Sequence, residues 1–554
     1  MPPNAERKPP SGFITFNDFS AGIFQRTGIS NASAGPAAIG AAQVANTYRC
    51  ISLPGGGLGP LPGRTIDFNV TDCGLGNVPA TAIVQAMRVM PLMYANAGAA
   101  PPFPPLAAYP FELHIMFEYP SAGNQIHEWR AYKYMRNSNV LIAQRTQAAT
   151  GRYGVGWLNM MRMYHPSPTD TVGYPVMVGT YQTPNDPQVA NTDYCWVYPD
   201  PTSGATVQTN TPYQLDGGGN VMRGMNTTHQ NRLIVCQRGL DAHGDLGTSW
   251  VSSNERFRFT IPNDYTQDVP STTTIFGQEV PVGYGVVASI TASDLLLIKH
   301  TLGAFLVQGD LINPVVRRLP NVMGTGGLEQ VAGYSMIGLV YGSRDDGVFV
   351  WGGGDTAAQI SLQLEDGFWQ LAGTTPYNFG GVFRAWGDLI VCPNNYVYDT
   401  TSKSWWRLED PSFALYGFYD REATSNVLIA TPATVPPSGR IASSYSQVNA
   451  AKNFSWNSQP FALAPRRLVQ LREIIVTAQG PGTVTITFSS DSSPVVQPSV
   501  VNISSGTPTM IRSNISVQGT QFNMRIVADG GSNPAPIVYS VEVPFYEISD
   551  LPND

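Results

Sequence analysis

The chain has 554 residues, a formal net charge of −7 and 13% charged residues, too long for one ordinary core and too poor in basic patches for a nucleic-acid reader. Its 42% hydrophobic and 10% aromatic residues exclude a disordered chain. No run of about 18 apolar residues offers a transmembrane helix, so no membrane insertion is expected.

The start, Met1-Pro-Pro-Asn-Ala-Glu-Arg-Lys, lacks the apolar stretch of a signal peptide. Residues Phe13-Ile-Thr-Phe-Asn-Asp-Phe-Ser-Ala-Gly-Ile-Phe read as a strand, with Phe13 and Thr15 on one face and Ile14 and Phe16 on the other. Phe13, Phe16, Phe19 and Phe24 are too many aromatics for so short a segment to bury alone; they are the candidate subunit-docking residues, with packing against the rest of the same chain as the alternative. An Ala-rich stretch at 36–46 could form one short helix, and Leu53-Pro-Gly-Gly-Gly-Leu-Gly-Pro-Leu-Pro-Gly63 reads as loop. Residues 1–80 are therefore read as an N-terminal arm and docking segment.

From 81 to 450 short apolar strands alternate with turns. Clear examples are Phe111–Phe117, Arg232–Cys236, Leu295–Ile298, Gly347–Trp351, Asp388–Cys392 and Asn426–Ala430. The later runs recur at blade-like spacing. In the fullest unit, Ala385 to Trp406, a buried strand meets a Pro-Asn-Asn turn, then a strand ending Tyr398-Asp399, then a turn into paired tryptophans. Four antiparallel strands per blade, with one bulky residue packing against the next blade, produce such a pattern, so an irregular β-propeller is expected. Stacked β-sandwiches are the alternative.

After 455 the texture changes. Val484, Ile486 and Phe488 alternate with Thr483, Thr485 and Thr487, giving one buried and one wet face. Similar strands at Gln521–Ile526 and Ile537–Val543 complete an expected β-sandwich over 455–554. The fold class expected is all-β, a propeller followed by a sandwich.

Motifs for chemistry are scarce. The five cysteines (Cys50, Cys73, Cys195, Cys236, Cys392) form no CxxC pair and are expected to be free thiols in a reducing cytoplasm. The six histidines stand singly, and His127-Glu128 lacks the second histidine of a metalloprotease helix. Gly217–Gly219 and Gly352–Gly354 lack the phosphate-loop pattern, and no Gly-x-Ser-x-Gly elbow occurs. Asp345-Asp346 and Glu365-Asp366 are adjacent pairs that a strand would point to opposite faces, unlike the facing acids of a glycosidase. Trp351, Trp386, Trp405 and Trp406 suit blade packing better than sugar stacking. On these grounds no catalytic residue, metal or cofactor is expected, and the chain reads as a non-enzyme.

The N-terminal residues, from Phe13 through Asn46-Thr-Tyr-Arg-Cys to Gly59-Pro-Leu-Pro-Gly63, resemble the opening of bacteriophage tail and virion proteins. The order of arm, propeller and sandwich resembles the tail-nozzle proteins of short-tailed phages. That resemblance implies a homo-oligomeric ring, commonly a hexamer, assembled in the host cytoplasm and placed in the virion tail. It would sit below the head-to-tail adaptor or portal and carry fibres or spikes, and genomic DNA would pass through its lumen without sequence-specific binding. Two other readings stay open: a receptor- or carbohydrate-binding virion protein, and a glycan-degrading propeller enzyme.

Overall fold

The computed structural model describes residues 9–20, 22, 44–69, 82–91, 451–464, 467–492 and 498–550. Between 111 and 450 it describes the strands named below and some adjoining turns. Among the described residues every regular element is a strand, as the many β-formers and turn residues lead one to expect. The helix expected at 36–46 falls outside the described residues over 36–43, and its end lies in a strand, Val44–Tyr48.

Five strands open the chain: β1 (Gly12–Phe16), β2 (Val44–Tyr48), β3 (Cys50–Ser52), β4 (Leu58–Pro60) and β5 (Pro62–Asn69). Among the described residues, seven antiparallel sheets then follow in series. The first is β6–β9 (Ile83–Pro91, Phe111–Ser121, Asn124–Tyr134, Val140–Thr150). The second is β10–β13 (Trp157–His165, Tyr174–Gln182, Tyr194–Tyr198, Gln208–Asn210), and the third is β14–β16 (Asn226–His229, Arg232–Cys236, Phe257–Phe259). The fourth is β17–β20 (Val286–Ala292, Leu295–His300, Gly303–Gln308, Val315–Arg318). The fifth is β21–β24 (Tyr334–Ser335, Gly338–Ser343, Gly347–Trp351, Ala358–Gln359). The sixth is β25–β28 (Arg384–Trp386, Leu389–Val391, Tyr396–Asp399, Ser404–Arg407). The seventh takes β29–β31 (Tyr416–Phe418, Val427–Thr431, Arg440–Ala450) and adds β5 at its edge.

Neighbouring sheets meet through their first strands. β6 touches β10, β10 touches β14, β14 touches β17, β21 touches β25, and β29 returns to touch β6. A succession of sheets that meet at their first strands, the last returning to the first, is the arrangement of a β-propeller, and each sheet is taken as a blade. Four of the six apolar runs singled out in the sequence lie within its strands, as do Leu389–Val391 and Val427–Ala430 of the other two.

The ring closes with a strand borrowed from before it. Thr65 of β5 pairs with Ser444 of β31, and Ile66 with Ser443. The outer edge of β31 would otherwise leave N–H and C=O groups unpaired, and β5 covers it. The arm expected over 1–80 is therefore divided: 62–69 belong to the propeller, and the strands before them belong elsewhere.

They belong with the C-terminal strands β32 (Asn453–Ser458), β33 (Arg467–Gln479), β34 (Gly482–Ser490), β35 (Ser499–Ile503), β36 (Thr509–Gly519), β37 (Phe522–Asp529) and β38 (Ile537–Asp550). One sheet runs β3-β4-β38-β33-β36 with β1 also on β38, and the other runs β2-β32-β37-β34-β35. The two share one apolar core. Val484, Ile486 and Phe488 are buried in it while Thr483, Thr485 and Thr487 stay half-buried, the alternation visible in the sequence. Ile14, Phe16 and Phe19 from the N-terminal segment lie in the same core beside Val541, Val543 and Trp456. Each such side chain contributes roughly 1.5–3 kcal/mol by leaving water.

That core does not stop at residue 455, where a separate domain was expected to begin. Leu389, Val391, Val397, Trp406 and Leu408 of blade six belong to the same continuous cluster. The boundary was drawn from a change of texture along the chain, which cannot register contacts between a mid-chain blade and both chain ends.

Candidate functional site

The four phenylalanines proposed for docking part company. Phe16 and Phe19 are 1% and 0% exposed. Phe16 meets Phe461 edge-on at 5.2 Å between ring centres, and Phe19 meets Trp456 at 5.4 Å. Both are corrected to core residues: Phe16 because β1 pairs with β38 and turns every second side chain inward, and Phe19 because the chain beyond β1 packs it against Trp456. Phe13 points the other way and is 59% exposed, opposite Pro544. Phe24 lies outside the described residues.

On the propeller, one charged group stands out. Glu128 and Arg130 of β8 are 1% and 3% exposed and form an ion pair, Arg130 Nε donating to Glu128 Oε1 at 2.6 Å. Residues two apart on a strand share a face, so the pair is fixed by spacing alone. The neighbouring strand β7 supplies Tyr119, whose hydroxyl donates to Glu128 Oε2 at 2.9 Å. Burial and the adjacent Glu128 carboxylate push the Tyr119 hydroxyl up to about 12, because both oppose a phenolate. A carboxylate with both oxygens engaged, on the third strand of a blade, ties β7 to β8 and keeps a buried charge paired. The sequence had marked His127-Glu128 only as a failed metal motif; the informative spacing was Glu128 to Arg130.

The tryptophans named as blade-edge candidates are packing residues wherever their side chains are described. Trp351 is 7% exposed, and Trp405 and Trp406 are fully buried. Trp405 Nε1 donates to the carbonyl of Ile360 at 2.6 Å, joining blade six to the end of blade five. Asp399, the acid of the Tyr-Asp pair, accepts from the Thr401 amide at 2.9 Å and the Ser402 hydroxyl at 2.6 Å, and so shapes the turn between β27 and β28. The pairs Asp345-Asp346 and Glu365-Asp366 and the run Gly217–Gly219 lie outside the described residues, as do the side chains of His127 and Trp386. No group of three or more metal-ligating side chains gathers among the described residues.

No protein-family model matches the chain, and no curated protein matches it. Solved structures do. An α-L-arabinofuranosidase of Fusarium graminearum with an iminosugar inhibitor matches at 10% identity and a TM-score of 0.33, over 69% of this chain and 98% of that one. A family 43 arabinoxylan arabinofuranohydrolase of Bacillus subtilis in complex with cellotetraose matches at 9% identity and a TM-score of 0.25, over 85% and 97%. An exo-β-1,3-galactanase of Phanerochaete chrysosporium with galactose matches at 8% identity and a TM-score of 0.21, over 82% and 99%.

All three are glycoside hydrolases, and the expectation that this chain is a non-enzyme is corrected accordingly. That expectation rested on missing motifs. Glycoside hydrolysis needs only two carboxylates at a set separation, and these can come from strands far apart in sequence, leaving no motif to find. At such identities and TM-scores, none of the hydrolases' catalytic residues carries over to a position in this chain.

Proposed function

We propose that the chain is a polysaccharide-directed component of a phage tail, with the propeller engaging the glycan and the C-terminal unit, a β-sandwich, serving as its mount. The observation that carries this is the succession of described sheets that meet through their first strands, with β29 returning to β6. Propellers hold ligands in the concavity that such convergence creates. The chemistry of the chain suits a neutral polymer: with only 13% charged residues, hydrogen bonding to hydroxyls rather than ion pairing would carry recognition. A net charge of −7 offers little counterion release to a phosphate backbone. The placement in a tail rests on the resemblance of residues 13–63 to the opening of tail proteins.

The test is a panel of bacterial surface polysaccharides together with arabinan, arabinoxylan and β-1,3-galactan. Retardation in affinity electrophoresis and release of reducing ends are measured for each. Binding of at least one polymer is expected, and released ends from that polymer would make the propeller hydrolytic. A chain that neither binds nor cleaves any member overturns the proposal.

A second reading is the nozzle ring, in which several copies, a hexamer in the related assemblies, prolong the tail channel between adaptor and fibres and let genomic DNA pass. The exposed Phe13 and Met510, at 59% and 60%, favour it as apolar contacts on the sandwich. The solution mass of the purified protein separates a ring from a monomer.

A further inference from the structure

Blade six differs from its described neighbour in what holds it. In β26 to β28 the side chains alternate: Leu389, Val391, Val397 and Trp406 enter the core of the two-sheet unit, while Ile390, Tyr396, Tyr398 and Trp405 stay outside that cluster. The buried residues of blade five (Val340, Val348, Phe349, Trp351) also stay outside it.

The backbone is tied as well. The outer edge of β28 is taken by the N-terminal segment, where Arg49 N–H donates to the Arg407 carbonyl at 2.8 Å and Arg407 N–H donates to Thr47 Oγ1 at 3.2 Å. The Arg407 guanidinium lies 4.5 Å from the ring centre of Tyr396 and 5.9 Å from that of Tyr48, and donates to the Tyr396 hydroxyl at 2.5 Å. Gly22, at φ +62°, passes so close that an added Cβ would stand 2.6 Å from the Trp405 carbonyl oxygen.

From this geometry we propose that blade six is a coupling joint, a ring element that opens and closes with the two-sheet unit rather than with the rest of the propeller. A binding event or load on the ring then reaches the mount through β28 and the Thr47–Arg49 segment. Two units that share a core and main-chain hydrogen bonds unfold together, whereas sheets joined only side to side open separately. The proposal holds whatever the propeller binds.

Native-state hydrogen exchange on the full chain tests it. Amides of Tyr396–Arg407 are expected to exchange in step with those of β33 and β38, and at least about tenfold more slowly than those of Gly347–Trp351 in blade five. In Arg407→Ala the blade-six amides should accelerate toward the blade-five rate while β33 and β38 hold theirs. Thr47→Val, which removes one hydroxyl and keeps the packing, should act in the same direction more weakly. Blade-six amides that follow blade five in the unaltered chain, or an Arg407→Ala chain whose blade-six exchange is unchanged, overturn the joint.

Discussion

Trp405 and Trp406 are neighbours in the chain whose side chains serve different cores. Trp405 packs with Tyr398, 5.1 Å between ring centres, and binds the Ile360 carbonyl of blade five. Trp406 enters the core of the two-sheet unit, its indole N–H donating to Ser404 Oγ at 2.7 Å. The strand's alternation of faces separates them, and it makes β28 a meeting point of the propeller and the two-sheet unit.

Truncating either indole leaves a large cavity in a fully packed region. Trp406→Ala is expected to cost about 3–5 kcal/mol and to lower the stability of the two-sheet unit. Trp405→Ala should cost a similar amount but loosen the contact between blades five and six. Denaturant unfolding followed by exchange at β33 and at Gly347–Trp351 distinguishes the two.

The N-terminal phenylalanines give a paired prediction. Phe16→Ala, in the core, should destabilise the fold by about 3–5 kcal/mol. Phe13→Ser, at 59% exposed, should change stability by no more than about 0.5 kcal/mol. Deleting residues 1–25 removes Ile14, Phe16 and Phe19 together, so it should unfold the two-sheet unit rather than merely block assembly. A deleted chain with an unchanged melting temperature would contradict this.

The Tyr119–Glu128 contact predicts an alkaline signature. The Tyr119 hydroxyl sits at about 12 in the folded chain against 10.0 for the free side chain. Between those values the unfolded chain loses a proton that the folded one keeps, so the stabilisation present below pH 10 declines as pH rises toward 12. A Tyr119→Phe chain should lose less stability than the unaltered one over that interval, measured by chemical denaturation at stepped pH. Glu128→Ala should lower stability at neutral pH by up to about 3–5 kcal/mol, because it removes the carboxylate facing the buried Arg130 charge.

Cys50 should be chemically silent. It is completely buried, its thiol donates to the Ser455 carbonyl at 3.3 Å, and burial pushes its ionisation well above the usual thiol range. Peptide mapping after alkylation of the native protein should find Cys50 unmodified, and alkylation after denaturation should modify it.

The sequence by itself determined the strands and their faces. Val484, Ile486 and Phe488 alternate with threonines because a strand turns successive side chains to opposite sides, and that period can be read from residue types alone. The fullest repeat, Ala385 to Trp406, likewise falls on the four strands of one blade, because turn residues mark where the chain must reverse. Only the tertiary structure decided which strands meet. Residues 62–69 close the ring against 440–450, and residues 12–16 lie along β38. Pairings across several hundred residues depend on open sheet edges finding partners, and an edge has no local signature. Whether Phe16 and Phe19 dock a neighbour or pack within their own chain could not be read for the same reason: the core that buries them is assembled from the other end of the chain. Glu128 was passed over because its partners are a residue two positions on and another on the adjacent strand, an arrangement that becomes chemistry only when the blade folds and excludes water.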